Sequence, residues 1–310
     1  MQGRFYSFNN YLKEKFGQRV HRISIDAGFD CPNLDGTLDK DGCLYCNNKA
    51  FGTFARVKRT VKEQIEESIQ FYSERLRVKK FIAYFQSFTN TYANLQILRE
   101  KYDIIKKFPQ IVGLAISTRP DCVDEEKIKL ISKYRKDYLV WVEYGLQTTH
   151  EHILHKINRQ HTYKDFLHAL ELSRKYGINV GVHMILGLPL ATYEDMIEDA
   201  RRLSKLDIQG IKFHILHILK DTGLEKMNRR RELNLLSRPE YVRIVCDFLE
   251  RIPSFWVILR LVSTAFSDYL VAPSWINEKA QVIEDIKKEL KRRGTYQGYY
   301  LGCKQCSQSA

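Results

Sequence analysis

The sequence of 310 residues contains no apolar run close to the ~18 residues that a membrane-spanning helix needs. Its most apolar segment, residues 180–191, is interrupted by His183, Gly187 and Pro189. Residues 1–10 lack the apolar region of a secretory signal peptide. We therefore expect no membrane span, no signal peptide and a cytoplasmic location.

Internal repeats, low-complexity tracts and Gly/Ser-rich linkers are also missing from the sequence. Hydrophobic residues make up 44% and charged residues 28%, which is the composition of a soluble globular protein. The length predicts about two domains, or one barrel with an extension. Seven cysteines are an odd number, and without a secretion signal they argue against a disulfide framework.

Acidic residues are the scarcer charged class, with 37 Asp and Glu against 50 Lys and Arg, a net charge of +13. Such an excess favours a polyanionic partner, because cations that neutralise phosphates release counterions. Two basic triplets, at residues 229–231 and 291–293, are candidates for phosphate contact, in particular Arg292 and Arg293. Solvated faces of helices or loops explain the same triplets equally well.

Short β-branched or aromatic runs alternate with longer helical patterns along the chain, which predicts parallel strands with helical crossovers. The six predicted strands are residues 21–27, 80–86, 112–118, 138–145, 179–186 and 210–217. The helices predicted to follow them are residues 61–74, 94–108, 125–134, 163–176 and 193–206. The fold class is α/β, and an incomplete TIM-type (β/α)6 barrel suits six such units. A doubly wound open sheet is the alternative, which the alternation does not exclude.

A C-terminal α/β extension is predicted after this core. It contains a helix at residues 238–251, an apolar run at 256–262 and a basic helix at 277–293. The predicted division is a core of residues 1–230 and an extension of residues 231–310.

Polar side chains gather where the predicted strands end. In barrels of parallel strands, active sites lie at the carboxyl ends of the strands. The polar residues at these positions are Asp26, Gln86, Ser117, Arg119, Glu143, Gln147, His183, Lys212 and His214.

Three cysteines follow the first predicted strand with the spacing C-x11-C-x2-C, at Cys31, Cys43 and Cys46. A loop rich in Gly, Pro, Asn and Asp can fold three thiolates around a metal. Structural zinc needs four ligands, whereas a four-iron cluster held by three cysteines leaves one iron open. The alternative is a zinc site completed by Cys303 and Cys306. The isolated Cys122 and Cys246 are expected to be small core residues.

Several segments resemble the radical S-adenosylmethionine (SAM) superfamily, specifically the YtqA/YhcC-like family, which is related to the radical-SAM domain of the Elongator catalytic subunit. The resemblance covers most of the chain and includes the cysteine loop, residues 26–47. The other matching segments are FQSFTNTY at 85–92, ISTRPD at 116–121, VEYGLQT at 142–148, NRQHT at 158–162, HMILGLP at 183–189 and RGTYQG at 293–298. The family's Gly-Glu after Pro189 is replaced here by Leu190 and Ala191.

The resemblance implies cofactors and their ligands. Cys31, Cys43 and Cys46 are expected to bind a [4Fe-4S] cluster, at which SAM is cleaved to a 5′-deoxyadenosyl radical. The residues expected to contact SAM are Gln86, Ser87 and Phe88 at the methionine amino group, Glu143 and Gln147 at the ribose, and Ile185 and Gly187 at the adenine. Lys212 and His214 are candidate catalytic residues that would contact the substrate.

The resemblance also implies partners. A one-electron donor such as flavodoxin or ferredoxin is expected, and kinship with Elongator together with the basic charge indicates tRNA. The expected reaction is modification of the wobble uridine, by removal of the carboxymethyl group of a 5-carboxymethylaminomethyl side chain. A radical SAM enzyme acting on a small metabolite or peptide, and a non-catalytic, zinc-stabilised RNA-binding protein, remain alternatives.

Overall fold

Seven parallel strands form one curled sheet in the computed structural model, which describes residues 3–47 and 59–302. The strands are β1 Val20–Ile25, β2 Lys80–Phe85, β3 Ile111–Thr118, β4 Leu139–Gln147, β5 Asn179–Leu186, β6 Gly210–Ile215, β7 Ile218–Leu219, β8 Val257–Arg260 and β9 Leu270–Ala272. The order across the sheet is β1-β2-β3-β4-β5-β6-β8, and a separate antiparallel pair is formed by β7 and β9.

Helices connect the strands and cover the outer face of the sheet. Several helices are preceded by a Thr or Ser whose side chain accepts a hydrogen bond from the backbone N–H three residues further on. The acidic side chain of that third residue accepts a hydrogen bond from the backbone N–H of the Thr or Ser. These capping boxes start α2, α6, α7 and α9. The helices are α1 Phe8–Phe16, α2 Val61–Leu76, α3 Leu95–Asp103, α4 Glu125–Ser132, α5 Glu151–Lys156, α6 Tyr163–Lys175, α7 Tyr193–Leu203, α8 Gly223–Arg229, α9 Arg238–Leu249, α10 Lys279–Arg293 and α11 Tyr299–Gly302.

The predicted fold class is confirmed: the sheet is a half-barrel of parallel strands in an α/β protein. The sheet has seven strands rather than the six predicted, because β8, in the apolar run of the C-terminal extension, pairs with β6. Among the described residues no helix is long and apolar enough to cross a membrane.

Alternation of side chains along each strand produces two apolar layers. The outward face packs under the helices, as Val142 and Tyr144 of β4 and Phe213 of β6 show. The inward face is filled at the amino end of the strands by a second cluster, where Trp141 of β4 packs edge-on against Phe8 of α1. Helix α1 therefore closes the bottom of the half-barrel, and the polar inward residues lie at the opposite, carboxyl end.

The half-barrel stays open between its edge strands β1 and β8, which do not pair with each other. The segment before α1 lies along β8 instead: Ser7 bridges to Ile258, and the Ile258 N–H donates to the Tyr6 carbonyl at 2.8 Å. A lateral gap therefore separates the two edge strands.

Candidate active site

The cysteine loop, residues 26–47, lies over the carboxyl ends of the strands and is fixed by backbone contacts. The Leu44 N–H donates to the Ile157 carbonyl at 3.0 Å, and the Leu44 carbonyl accepts from Leu224 at 2.9 Å. A Cβ at Gly223 would come within 2.6 Å of the Leu44 side chain, so a residue without a side chain is needed there. The loop is thereby held against an apolar cluster that includes Ile157 and Leu224.

The three thiols of this loop lie inside the protein and are unpaired by disulfides: Cys31 and Cys43 are buried and Cys46 is half-buried. Asn33 Nδ2 lies 3.4 Å and Arg159 Nη1 3.5 Å from Cys43 Sγ, so two donors face this sulfur. Burial raises the pKa of the Cys46 thiol to about 12, and the negative charges of Cys43 and Cys31 add to the rise. Cys46 therefore lies within electrostatic range of Cys43 and Cys31.

Two buried guanidinium groups accompany the thiols. Arg119 forms a bidentate pair with Asp121, at 2.9 and 2.7 Å, yet its buried Nη1 has no hydrogen-bond partner within the described ranges. Arg159 donates to the Gly145 carbonyl at 2.8 Å. Both guanidinium groups oppose the rise in the pKa of Cys46. The site thus combines the thiols of the loop with positive charge from Arg119 and Arg159, which suits an anionic iron–sulfur cluster.

Across residues 3–47 and 59–302, no three His, Cys, Asp or Glu side chains form a cage for a single metal ion. An iron–sulfur cluster needs no such cage, because each thiolate binds a different iron atom. Three thiols in one loop fit a [4Fe-4S] cluster, which when bound supplies the electron that cleaves SAM. Cys303 and Cys306 of the zinc alternative lie outside the described residues, whereas Cys122 and Cys246 are buried, as expected.

An inner cavity of about 180 Å³ lies beside Cys46 at the carboxyl ends of the strands. Six of the residues predicted to contact SAM or substrate line it: Gln86, Ser87, Gln147, Ile185, Lys212 and His214. Phe88, Glu143, Gly187, Cys31 and Cys43 do not line its wall. Of the nine polar residues predicted at the strand ends, six line this cavity, whereas Asp26, Arg119 and Glu143 do not. One of the three thiols lies on its surface.

Two of the residues predicted to contact SAM, Gln147 and Gly187, have a positive φ angle. Gln147 ends β4 at an irregularity in its pairing with β5 and has φ of 80°, a left-handed conformation that is costly for a residue with a side chain. Gly187 also has positive φ, and a Cβ there would come within 3.0 Å of Leu236. The glycine is therefore required by the turn and by Leu236, rather than by a wall of the inner cavity.

Glu143 is buried behind the cavity wall and is the centre of a charged network. Its Oε1 accepts from Arg22 at 2.8 Å, and its Oε2 accepts from His183 and Lys212, both at 2.8 Å. Burial disfavours the carboxylate, but Lys212, Arg22 and His183 outweigh it and hold the pKa of Glu143 well below its usual range. The Lys212 ammonium also donates to Tyr84 Oη at 2.6 Å. Both oxygens of Glu143 thus position side chains around the cavity.

His183 and His214 also form part of the wall of the inner cavity, and their ring centroids are 5.3 Å apart. Burial and the Lys212 charge lower the pKa of His183 to about 3. Burial and the Arg260 charge lower the pKa of His214 well below its usual value, and its buried Nε2 has no partner in the described part of the chain. His214 is therefore neutral at physiological pH, with one ring nitrogen available to a ligand in the cavity.

Several residues of this site were not predicted, although alternation along the predicted strands could have indicated some of them. In the predicted strand 80–86, Tyr84 falls two residues before Gln86 and therefore on the same face. In the predicted strand 21–27, Arg22 falls four residues before Asp26 and shares its face in the same way. Arg260 had no such signal, because it lies in an apolar run whose place in the sheet the sequence does not show.

Two arginines of the second basic triplet form ion pairs within the protein. Arg292 forms two hydrogen bonds with Glu289, both at 2.8 Å. Arg293 contacts Glu289 and Asp247, each at 2.7 Å, and Glu250 at 3.2 Å. Both guanidinium groups therefore have carboxylate partners within the chain, and their contact with phosphates stays a prediction.

Comparison with known proteins is consistent with this site. Residues 40–203 match the radical SAM superfamily and residues 208–292 match the radical SAM C-terminal domain. The chain therefore belongs to the radical SAM superfamily, whose members use a [4Fe-4S] cluster and SAM.

Within the superfamily, the chain is 38% identical over 299 residues to YtqA of Bacillus subtilis (strain 168), covering 96% of this chain and 93% of YtqA. A shorter match, 28% identical over 149 residues, is to the tRNA uridine(34) acetyltransferase of Methanocaldococcus jannaschii, covering 47% of this chain and 27% of that protein. The structure of an N-terminally deleted Elp3 from Methanocaldococcus infernus has the same fold, with a TM-score of 0.65 and 18% identity over 90% of this chain and 64% of that one. The predicted family is confirmed.

Proposed function

We propose that this radical SAM enzyme modifies the wobble uridine of tRNA, removing the carboxymethyl group of a 5-carboxymethylaminomethyl side chain to leave an aminomethyl group. In the balanced reaction the methylene carbon next to the carboxylate is oxidised by two electrons and, after addition of water, leaves as glyoxylate. SAM is the oxidant and is released as methionine and 5′-deoxyadenosine. The observation that carries the proposal is the shared stretch of 149 residues with an enzyme named for tRNA uridine 34. The net charge of +13 supports a polyanionic partner. A base of an anticodon loop can leave its stack at low cost, as a reaction inside a half-barrel requires.

Each predicted site residue has a role in this proposal. Cys31, Cys43 and Cys46 bind the cluster, and the fixed charges of Arg119 and Arg159 balance it. The predicted SAM contacts are those named from the sequence: Gln86, Ser87, Phe88, Glu143, Gln147, Ile185 and Gly187. Glu143 is the exception among them: because both of its oxygens are occupied, it would act on SAM through the side chains that it positions.

Lys212 and His214 face the cavity and are proposed to contact the substrate. His214 is the better placed of the two to exchange a proton, because its Nε2 has no partner in the described residues, whereas Lys212 is held by Glu143 and Tyr84. We propose a cytoplasmic one-electron donor, such as flavodoxin or ferredoxin, as the source of the electron.

The test is analysis of tRNA nucleosides by mass spectrometry. A deletion strain should accumulate 5-carboxymethylaminomethyl uridine and lose the aminomethyl form. Reconstituted protein with SAM and reductant should convert the first nucleoside to the second in tRNA from that strain, and a Cys43→Ala variant should not. Unchanged nucleosides in both experiments, with normal release of 5′-deoxyadenosine, would instead indicate a small metabolite or peptide substrate.

A further inference from the structure

A second, larger cavity of about 890 Å³ occupies the lateral gap between β1 and β8, and we call it the seam cleft. It shares Tyr84, Gln86 and Arg260 with the inner cavity, so the two spaces meet at these residues. Helix α10 forms one of its walls. The charged and titratable residues that line the seam cleft are Arg4, His21, Arg22, Arg260, Lys279, Lys287 and Lys291.

No Asp or Glu lines this cleft among the described residues. Some of its cations have partners: Arg22 pairs with Glu143, and Lys287 lies 3.7 Å from Glu284. Within residues 3–47 and 59–302, the half-buried Arg260 guanidinium and the exposed Lys279 ammonium form neither a hydrogen bond nor a salt bridge.

The surroundings of Arg260 make this lack of a partner costly. Glu143 is the nearby carboxylate, and Arg22, His183 and Lys212 already occupy both of its oxygens. Burial lowers the pKa of Arg260, and the neighbouring Arg22 lowers it further. Although Lys279 is an exposed residue, the protein around its ammonium removes part of its hydration and lowers its pKa, and the charges of Arg260 and Arg22 add to that effect. Like charges held close together in a low-dielectric space repel each other, and a bound anion offsets that repulsion.

We propose that Arg260 and Lys279 bind an oxyanion of the substrate where the seam cleft meets the inner cavity. This inference rests on the proposed function, and it deepens that function by assigning the side of the half-barrel from which the RNA enters and the residues that recognise it. The oxyanion is either a backbone phosphate or the carboxylate of the modified base, since a guanidinium group binds both through paired N–H donors. Arg260 is then a specificity-determining residue.

The first experiment measures anion binding to the full, cluster-loaded chain without RNA. Inorganic phosphate should raise the unfolding temperature of the wild type, because a ligand that binds only the folded state stabilises it. The increase should be lost in Arg260→Gln and reduced in Lys279→Gln. The control is Lys288→Gln, which removes the same charge from a part of α10 that does not line the seam cleft. An increase in Arg260→Gln equal to that of the wild type would overturn the proposal.

The second experiment compares anticodon stem-loop RNAs with and without the carboxymethylaminomethyl group. Losing a charge-assisted contact should weaken binding about 10- to 100-fold in Arg260→Gln, and Arg260→Lys should restore part of the affinity. If the oxyanion is a phosphate, both RNAs lose affinity and the log–log salt slope falls by about 0.7. If it is the base carboxylate, only the carboxylate-bearing RNA loses affinity.

A third measurement separates this proposal from the proposed function. If Arg260→Gln weakens SAM binding in the absence of RNA, the oxyanion belongs to the cofactor and the proposal is overturned. If phosphate binding depends on Arg260 but wild-type protein leaves tRNA nucleosides unchanged, the anion site stands and the substrate is another anionic molecule. Because Lys279 is exposed, Lys279→Gln should fold even if Arg260→Gln does not, and its weaker phosphate response then decides the question.

Discussion

Replacing Glu143 by glutamine would test the charged network behind the inner cavity. The substitution keeps the shape of the side chain and removes the charge that Arg22, His183 and Lys212 share. Glu143 and Lys212 are each 1% exposed, so water cannot replace the lost carboxylate. Removing one partner of a buried ion pair costs about 3–5 kcal/mol, because it leaves a buried charge uncompensated.

That loss is large compared with the total stability of a protein, which is on the order of 5–15 kcal/mol. With an unfolding entropy of about 2.1 cal/mol/K per residue, a 310-residue chain should lose about 5–8 °C in Tm. Thermal unfolding followed by circular dichroism would measure the shift. A Tm within 1 °C of the wild type would refute the reasoning, because it would mean that Arg22 and Lys212 need no counter-charge.

A double-mutant cycle distinguishes the ion pair from general disruption. Lys212→Met removes one of the three donors to Glu143, which keeps Arg22 and His183, whereas Glu143→Gln with Lys212→Met removes both charges of the pair. The double variant should therefore be more stable than the sum of the single losses predicts, by about 1–3 kcal/mol. Strictly additive losses would show that Glu143 and Lys212 are not coupled.

The pH dependence of the same variant has a defined sign. Because the pKa of Glu143 is held below its unfolded value, its contribution is complete above the unfolded pKa of about 4.3. The contribution is lost as the pH falls towards the folded pKa. The difference in stability between wild type and Glu143→Gln should accordingly shrink on acidification below about pH 4. A difference that grows on acidification would contradict the assignment.

Three further predictions concern the cluster, SAM and acid titration. Cys43→Ala should abolish the brown chromophore and the iron content of about four atoms per chain. The core variant Cys246→Ala should keep both. Unchanged iron in Cys43→Ala would disprove the assignment. Gln147→Ala should raise the Kd for SAM several-fold with the cluster intact, measured by equilibrium dialysis, and an unchanged Kd would exclude the contact. Burial raises the pKa of Asp199 to about 6, so the stability of the wild type relative to Asp199→Asn, measured by urea titration, should fall as the pH rises from about 4 to 6. A relative stability that rises over this range would refute the Asp199 prediction.

Much of the fold was predictable because strand and helix signals are local. The strand predicted at residues 179–186 agrees with Asn179–Leu186 at both ends, and the other five agree within two residues. The apolar run at residues 256–262 was found, but its pairing with β6 was not. Pairing joins segments that are far apart in the chain, and alternation within one segment carries no information about its partner.

The same distinction applies to the site. The spacing of Cys31, Cys43 and Cys46 and the polar residues at the strand ends indicated a cluster loop and a polar rim, because parallel strands all end at one edge. The sequence could not show that Glu143 lies behind the cavity wall, since that depends on which cations surround it.

Composition likewise established a basic protein, but not where its unpaired charge lies. Arg292 and Arg293 are conspicuous in the sequence, yet α9 and the preceding turn of α10 supply their carboxylate partners. Arg260 is inconspicuous in the sequence, yet it lacks a salt-bridge partner among the described residues and lies where two cavities meet. The electrostatic role of a charge depends on its distance from opposite charges and from water, and only the tertiary structure sets those distances.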